Sequence, residues 1–130
     1  MPAANSFDYA IVRVVPRVER GEFINAGAIL FCRTLRYLGA AIELDRARLL
    51  ALAPTVDIDE VERHLATIQL ICAGDAGGGP IAKLSMAERF HWLVAPRSTL
   101  IQTSPAHSGL DSDPETVLRH LVDTMVRAPR

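Results

Sequence analysis

Hydrophobic and polar positions alternate along the first third of the chain in the two-residue rhythm of β-strands. Residues 7–15 are rich in β-forming side chains, with Arg13 among them. Residues 23–32 are apolar on both faces, as is typical of a central strand, and Gly27 within them predicts a bulge or a close approach. With residues 37–44 as a third strand, the pattern predicts an antiparallel meander.

From residue 45 onward, apolar residues recur at spacings of three and four, which predicts helices. Each predicted helix follows a residue whose side chain can accept a hydrogen bond from the first turn. These N-caps are Asp45, Asp57, Ser85 and Asp113. The first three helices are predicted to end near Pro54, Gly74 and Pro96. Residues 98–103 form a fourth predicted strand, and residues 104–113 a loop.

The order of three strands, three helices, a strand and a helix lacks the regular alternation of a parallel sheet. It predicts an α+β fold, in which an antiparallel sheet of about four strands carries three to four helices packed mainly on one face. Residues 74–80 are predicted to be a flexible Gly-rich loop, and residues 1–6 a short disordered N-terminus. A phosphate-binding role for the glycines is disfavoured because no Lys-Ser/Thr pair follows them.

Composition indicates one cytoplasmic domain of 130 residues, with 49% hydrophobic and 22% charged residues. The net charge of −1 argues against a protein that coats nucleic acid, since that function requires clustered positive charge. The N-terminus lacks the pattern of a signal peptide, and no apolar run approaches membrane-spanning length. Cys32 and Cys72 lie in apolar segments, which predicts buried, reduced thiols.

The first candidate site is the charged loop between the first two predicted strands. It contains Arg13, Arg17, Glu19, Glu22 and Asn25. Because Arg13 lies on an apolar strand, its guanidinium needs either a carboxylate partner or a ligand. Glu22 or Glu19 offers that carboxylate, so a structural ion pair that closes the hairpin and a ligand site both remain open.

The second candidate site combines residue types that bind anions or polar ligands. It contains Arg89, Trp92, Arg97, Ser98, Gln102, Ser104 and His107. No carboxylate is evident to orient a Ser–His pair, and the G-x-S-x-G motif is absent, so a serine hydrolase is disfavoured. The four histidines are scattered without ligand spacing, so neither a metal nor another cofactor is predicted.

Both regions together resemble the bacterial domain-of-unknown-function family DUF3037. The resemblance rests on YAIVRVVPRVERGEFINAGAILFC and on RFHWLVAPRSTLIQTSPAHSGLDSDPETVLRHL, and it covers most of the chain. Its motif letters fall on Arg13, Arg17, Gly21, Glu22, Asn25, Gly27, Arg89, Trp92, Pro96, Ser98, Gln102, Ser104, His107 and Gly109. The resemblance implies no assigned activity. It does imply a partner, because such proteins are often encoded beside HipA-type kinases.

Two functions are therefore expected. The first is a noncatalytic accessory module that binds a protein partner such as a HipA-type kinase. The second is a small enzyme or binding domain for a phosphorylated or nucleotide-like ligand, held where Arg13, Arg17, Arg89, Arg97, Gln102 and His107 converge in one cleft. A nucleic-acid-binding antitoxin ranks third, because the chain is nearly neutral and lacks a helix-turn-helix pattern.

Overall fold

The computed structural model describes residues 4–129 and contains one antiparallel sheet. Its strands are β1 (Asn5–Val14), β2 (Ile24–Cys32), β3 (Tyr37–Ile42), β4 (Ile101–Thr103) and β5 (His107–Asp111). The spatial order is β3-β2-β1-β4, and β5 also pairs with β1. The predicted meander and the α+β class are confirmed.

Residues 104–113, predicted to be a loop, contain the strand β5. β4 and β5 pair with successive parts of the same edge of β1, and Ser104 lies between them. The backbone N–H of Ser104 donates to the carbonyl oxygen of Ile11 at 2.8 Å. Its hydroxyl oxygen accepts from the N–H of Ile11 at 2.9 Å. The mostly exposed residues of β5 show no hydrophobic alternation, so this edge strand depends on β1 for its conformation.

The same pairing extends β1 toward the N-terminus. Asn5 pairs with Asp111 and Ser6 with Leu110, so β1 begins two residues before its predicted start. The predicted disorder is therefore wrong for Asn5 and Ser6, because β5 supplies them with a partner strand. Residues 1–3 lie outside the described part of the chain.

The helices begin at the predicted caps. They are α1 (Arg46–Leu52), α2 (Ile58–Ala73), α3 (Met86–Val94) and α4 (Pro114–Leu121). Ser85 and Glu88 form the predicted capping box, and Gly74 ends α2 in the left-handed conformation. The predicted Gly-rich loop contains the 3₁₀ turn Ala76–Gly78 and the start of another, Pro80–Lys83. A π-helical turn, Val122–Val126, follows α4.

Helices cover both faces of the sheet, with most of them on one. α1, α2 and α3 pack over the face that carries Val12, Ile29 and Phe31, hereafter the three-helix face. α4 packs over the opposite face, through Leu118 and Leu121 against Ile11, Leu30 and Cys32 among others. We call this second surface the α4 face. None of the helices within residues 4–129 combines the length and hydropathy needed to cross a bilayer.

Gly27 marks the bulge that the sequence predicts. Val12 pairs with Gly27 and Arg13 with Asn25, so Ala26 is the extra residue of β2. A Cβ atom on Gly27 would lie 2.5 Å from the carbonyl oxygen of Ala41 in β3. The missing side chain of Gly27 therefore lets β3 approach closely, and the bulge beside it resets which side chains of β2 face each side of the sheet.

Candidate functional site

A groove of about 640 Å³ lies between α2, α3 and β4. Its apolar lining comes mainly from Ile68, Ile71, Leu93, Leu100 and Ile101. Its other lining residues are Val18, His64, Thr67, Trp92, Arg97, Ser98, Thr99, Gln102 and Thr103. We call this cavity the α2–β4 groove. Trp92, Arg97, Ser98 and Gln102 are predicted site residues, and the fold brings these four together.

Arg97 and Trp92 form one unit on the rim of the groove. The guanidinium carbon of Arg97 lies 4.5 Å from the centroid of the Trp92 ring, within the range of a cation–π interaction. The Arg97 guanidinium also donates to the carbonyl oxygen of Trp92. The indole remains 40% exposed. The pair thus presents a positive charge on an aromatic platform that a ligand can reach.

The charge around the groove is predominantly positive. None of its lining residues is acidic, and Arg97 supplies a permanent charge. Glu60 lies one helical turn from the lining residue His64, with its carboxylate oxygen 3.7 Å from the imidazole Nε2. The groove therefore suits an apolar ligand with a negative group near Arg97.

β4 offers an unpaired backbone edge beside the same groove. Leu100 and Ser104 make backbone hydrogen bonds to β1, through the Leu100 carbonyl oxygen and the Ser104 N–H. Backbone groups alternate in direction along a strand, so those of Ile101 and Thr103 point away from β1. The carbonyl oxygen of Ile101 already accepts from the Thr99 hydroxyl at 2.8 Å. β4 is the outer strand of the sheet order, so its remaining outward groups can pair with another chain.

The contacts of the charged loop between β1 and β2 show which of the two predicted roles of Arg13, ion pairing or ligand binding, stays open. The predicted ion pair between Arg13 and Glu22 or Glu19 is not formed among the described residues, and Glu22 pairs with Arg20 instead. Arg17 is exposed and lines a separate cavity of about 330 Å³ with both of them. Arg13 has no carboxylate within ion-pair distance among residues 4–129. Its guanidinium instead stacks on the ring of Phe23 at 4.3 Å.

Arg13 faces away from the α2–β4 groove. Its neighbours Val12 and Val14 pack on the three-helix face, so Arg13 lies on the α4 face. Its cross-strand partners are Asn25 on β2 and Gln102 on β4. The side-chain amide of Gln102 donates to the carbonyl oxygen of Thr99 at 2.9 Å.

Arg89 on α3, which the sequence predicts to be a ligand-binding residue, has a structural role instead. It is buried, and its guanidinium donates to the carbonyl oxygens of Ile71, Cys72 and Leu84 at 2.8, 2.9 and 3.0 Å. Two of these carbonyls belong to the last turn of α2, where helix carbonyls lack partners within the helix. Arg89 is therefore a cap of α2 and is not available to a ligand.

The remaining predicted residues also have separate places. Ser104 is buried, and its hydroxyl both accepts from Ile11 and donates to the carbonyl oxygen of Pro105 at 2.9 Å. His107 is exposed on β5, with its ring centroid 5.5 Å from that of Tyr9. The predicted single cleft of arginines, Gln102 and His107 is not formed, because Arg89 is internal and Arg97 lines the α2–β4 groove. Strand register puts Arg13, Gln102 and His107 at positions of the α4 face, since Gln102 pairs with Arg13 and His107 with Tyr9.

Sequence reasoning missed the contribution of α2 to the groove. His64, Thr67, Ile68 and Ile71 line it, although the two polar residues sit on a flank outside the predicted apolar stripe. Their helical spacing places them on one side of α2, and this spacing was the feature of the sequence that could have predicted a shared surface. Across the described residues, no group of three or more His, Cys, Asp and Glu side chains could hold a metal ion.

Comparisons with known proteins identify a family and nothing finer. No curated protein matches the chain, and no solved structure does. The family described as "Protein of unknown function (DUF3037)" matches residues 9–126, which include both motif regions and every predicted site residue. The chain therefore belongs to the DUF3037 family.

Proposed function

We propose that this protein is a noncatalytic accessory module of the bacterial cytoplasm that binds a protein partner through the α2–β4 groove. The observation that carries the proposal is the position of an unpaired strand edge directly beside an apolar groove. Thr99, Leu100, Ile101, Gln102 and Thr103 all line the cavity, so a segment in the groove would run alongside β4.

The arrangement suits an extended segment that adds to the sheet as a further strand. Main-chain hydrogen bonds to the edge give such complexes affinity, and pockets for alternate side chains give specificity. The outward N–H groups of Ile101 and Thr103 and the outward carbonyl oxygen of Thr103 are placed for those bonds. Alternate side chains of the segment would enter the apolar lining formed by Ile68, Ile71 and Leu93.

Charge complementarity specifies the occupant further. Arg97 lies on the rim above Trp92, and the groove lining holds no carboxylate. The occupant is therefore an extended acidic segment, with one carboxylate near the Arg97 guanidinium and apolar side chains toward α2. We propose that a HipA-type kinase supplies this segment, as the family resemblance implies.

The experiment is co-expression with the neighbouring HipA-type kinase, followed by size-exclusion chromatography and a titration of the purified components. Thr103→Pro removes an outward N–H that the β1 ladder does not use, so it blocks strand addition while the edge can still form. Arg97→Glu reverses the charge on the rim. Arg119→Glu makes the same charge change on the exposed surface of α4 and is the matched control.

We expect the unaltered chain and Arg119→Glu to co-elute with the kinase. Thr103→Pro and Arg97→Glu should each weaken binding by about tenfold or more, which corresponds to the loss of one good interfacial hydrogen bond or charge pair. Separate elution of the unaltered chain at micromolar concentration contradicts the partner proposal. If both groove variants still co-elute with the kinase, the interface does not lie in the groove.

The alternative function is catalysis on, or binding of, a phosphorylated ligand in one Arg/Gln/His cleft. Its basis was the convergence of these residues, which the structure does not contain. Arg89 is internal, and Arg97 and Arg13 lie on opposite faces of the sheet. What remains of that alternative is the cross-strand pairing of Arg13 with Gln102 on the α4 face.

A further inference from the structure

A separate cavity of about 460 Å³ lies between the turn that joins β2 to β3 and the beginning of α3. This volume falls within the range of roughly 300–1,000 Å³ that is typical of small-molecule sites. The cavity shares no residue with the α2–β4 groove. We call it the turn cavity, and it is lined by Phe31, Arg33, Arg36, Ser85, Met86 and Ala87.

One side of the turn cavity is apolar and held in place by the core. The Phe31 ring is only 6% exposed and stacks on the ring of Phe90, with the two centroids 5.4 Å apart. Met86 and Ala87, both half-buried, extend this surface along α3. An apolar group in the cavity would therefore contact a preformed surface, which lowers the ordering cost of binding.

The other side of the turn cavity carries two positive charges without counter-ions. Arg33 and Arg36 are exposed, and neither makes an ion pair in the described part of the chain. The guanidinium carbon of Arg33 lies 5.9 Å from the centroid of the Phe31 ring. No lining residue is acidic, and the nearby Glu88 carboxylate accepts from the N–H of Ser85 at 3.3 Å. Two guanidinium groups beside an apolar surface suit a ligand that is both apolar and anionic.

The backbone of Arg36 supports a use for its side chain. Arg36 has a φ of 52°, and among residues 4–129 it is the only residue other than glycine with a positive φ. Glycine adopts this left-handed conformation without the steric cost that a Cβ atom adds. The chain thus has an arginine in a turn position that favours glycine, and strain of this kind is concentrated at functional sites.

We infer that the turn cavity binds an amphiphilic anion, with its oxyanion head between Arg33 and Arg36 and its alkyl chain against Phe31 and Met86. The head is a carboxylate or a phosphate, since both accept hydrogen bonds from guanidinium groups. The Ser85 hydroxyl oxygen accepts from the N–H of Glu88 at 3.2 Å, so its own hydrogen is available to the head. The inference does not depend on kinase binding, because the two cavities have no residue in common.

The probes are octanoate and octyl phosphate, each titrated into the full chain below its micelle-forming concentration. Acetate supplies the head without the chain, and octanol supplies the chain without the charge. The readout is the methyl resonance of Met86 in protein labelled with carbon-13 at methionine. Trp92 fluorescence reports binding in the α2–β4 groove, so the two sites are followed separately.

We expect the Met86 resonance to shift and saturate with octanoate, with octyl phosphate or with both. The probe that binds more tightly identifies the preferred head. Acetate should bind at least about tenfold more weakly because it buries no alkyl chain. Octanol should also bind at least about tenfold more weakly, since it makes no charge-assisted hydrogen bond.

Two variants test the arginines. Arg36→Gly and Arg33→Gln should each reduce the affinity for the tighter probe by about tenfold or more. Arg36→Gly also relieves the left-handed conformation, so its midpoint of thermal unfolding should equal or exceed that of the unaltered chain. Arg63→Gln removes the same charge from the exposed surface of α2 and should leave the affinity unchanged.

A Met86 resonance that responds to neither octanoate nor octyl phosphate overturns the inference. Acetate or octanol binding as tightly as the full probes also overturns it, because the cavity would then recognise charge alone or chain alone. Unchanged affinity in both Arg36→Gly and Arg33→Gln has the same consequence. A response of Trp92 without one of Met86 would place the probes in the α2–β4 groove instead.

Discussion

The guanidinium of Arg89 donates to the carbonyl oxygen of Ile71 at 2.8 Å, and this bond joins α3 to the end of α2. A positive charge at a helix C-terminus also interacts favourably with the helix dipole. An arginine that belongs to a family motif region is thus structural here. Its burial, and not its position in the motif, reveals this.

Replacement of Arg89 by leucine should destabilise the protein strongly. The change leaves carbonyl groups of Ile71, Cys72 and Leu84 without their donor, and hydrogen bonds from charged groups contribute about 1.5–3 kcal/mol each. We expect a loss of about 3 kcal/mol or more in the free energy of unfolding, measured by urea titration. Arg97→Leu, on the half-buried rim of the groove, should cost less than about 1 kcal/mol. Equal losses in the two variants contradict the capping role.

Ser104→Ala should weaken the junction between β4 and β5. The hydroxyl accepts from the buried N–H of Ile11, and its removal leaves that donor unsatisfied at a cost of about 1–3 kcal/mol. Ser108→Ala removes an exposed hydroxyl that bonds to Asp8 and should change stability by less than about 0.5 kcal/mol. Hydrogen exchange at the Ile11 amide should accelerate only in Ser104→Ala. Unchanged exchange there would mean that the hydroxyl is dispensable.

Cys72 should make the protein sensitive to alkaline pH. Burial raises the pKa of its thiol from 9.0 to about 12, although the nearby Arg89 charge opposes part of that effect. The folded state therefore keeps the proton in a pH range where the unfolded chain releases it. The resulting stability is complete below about pH 9 and falls by about 1.4 kcal/mol per pH unit as the pH rises from there toward 12.

Urea unfolding of the unaltered chain and of Cys72→Ala between pH 7.5 and 10.5 tests this expectation. Every other titratable group is present in both proteins, so the difference between their free energies of unfolding isolates Cys72. The alanine variant should be less stable at pH 7.5 because it loses buried apolar volume, and the gap should narrow above pH 9. Parallel pH profiles for the two proteins would show that Cys72 does not ionise on unfolding.

Local signals in the sequence predict most of the fold. The β-strand alternation of residues 7–44 and the N-caps Asp45, Asp57, Ser85 and Asp113 act over a few residues, so they can be read without a structure. Gly27 predicts a bulge or a close approach because a glycine in a strand interior otherwise only weakens it, and the structure contains both. β5 was missed because its residues form a strand only through pairing with β1.

The fold class, the helix boundaries and the list of polar residues that need partners all follow from the sequence, since propensity, capping and hydrophobic period are local properties. The roles of those polar residues depend on tertiary contacts. Arg89 and Ser104 satisfy backbone groups, Arg97 joins Trp92 beside β4, and Arg13 faces the other way with Asn25. Which atoms meet depends on the sheet register and on which face each helix covers, and those are set by long-range packing.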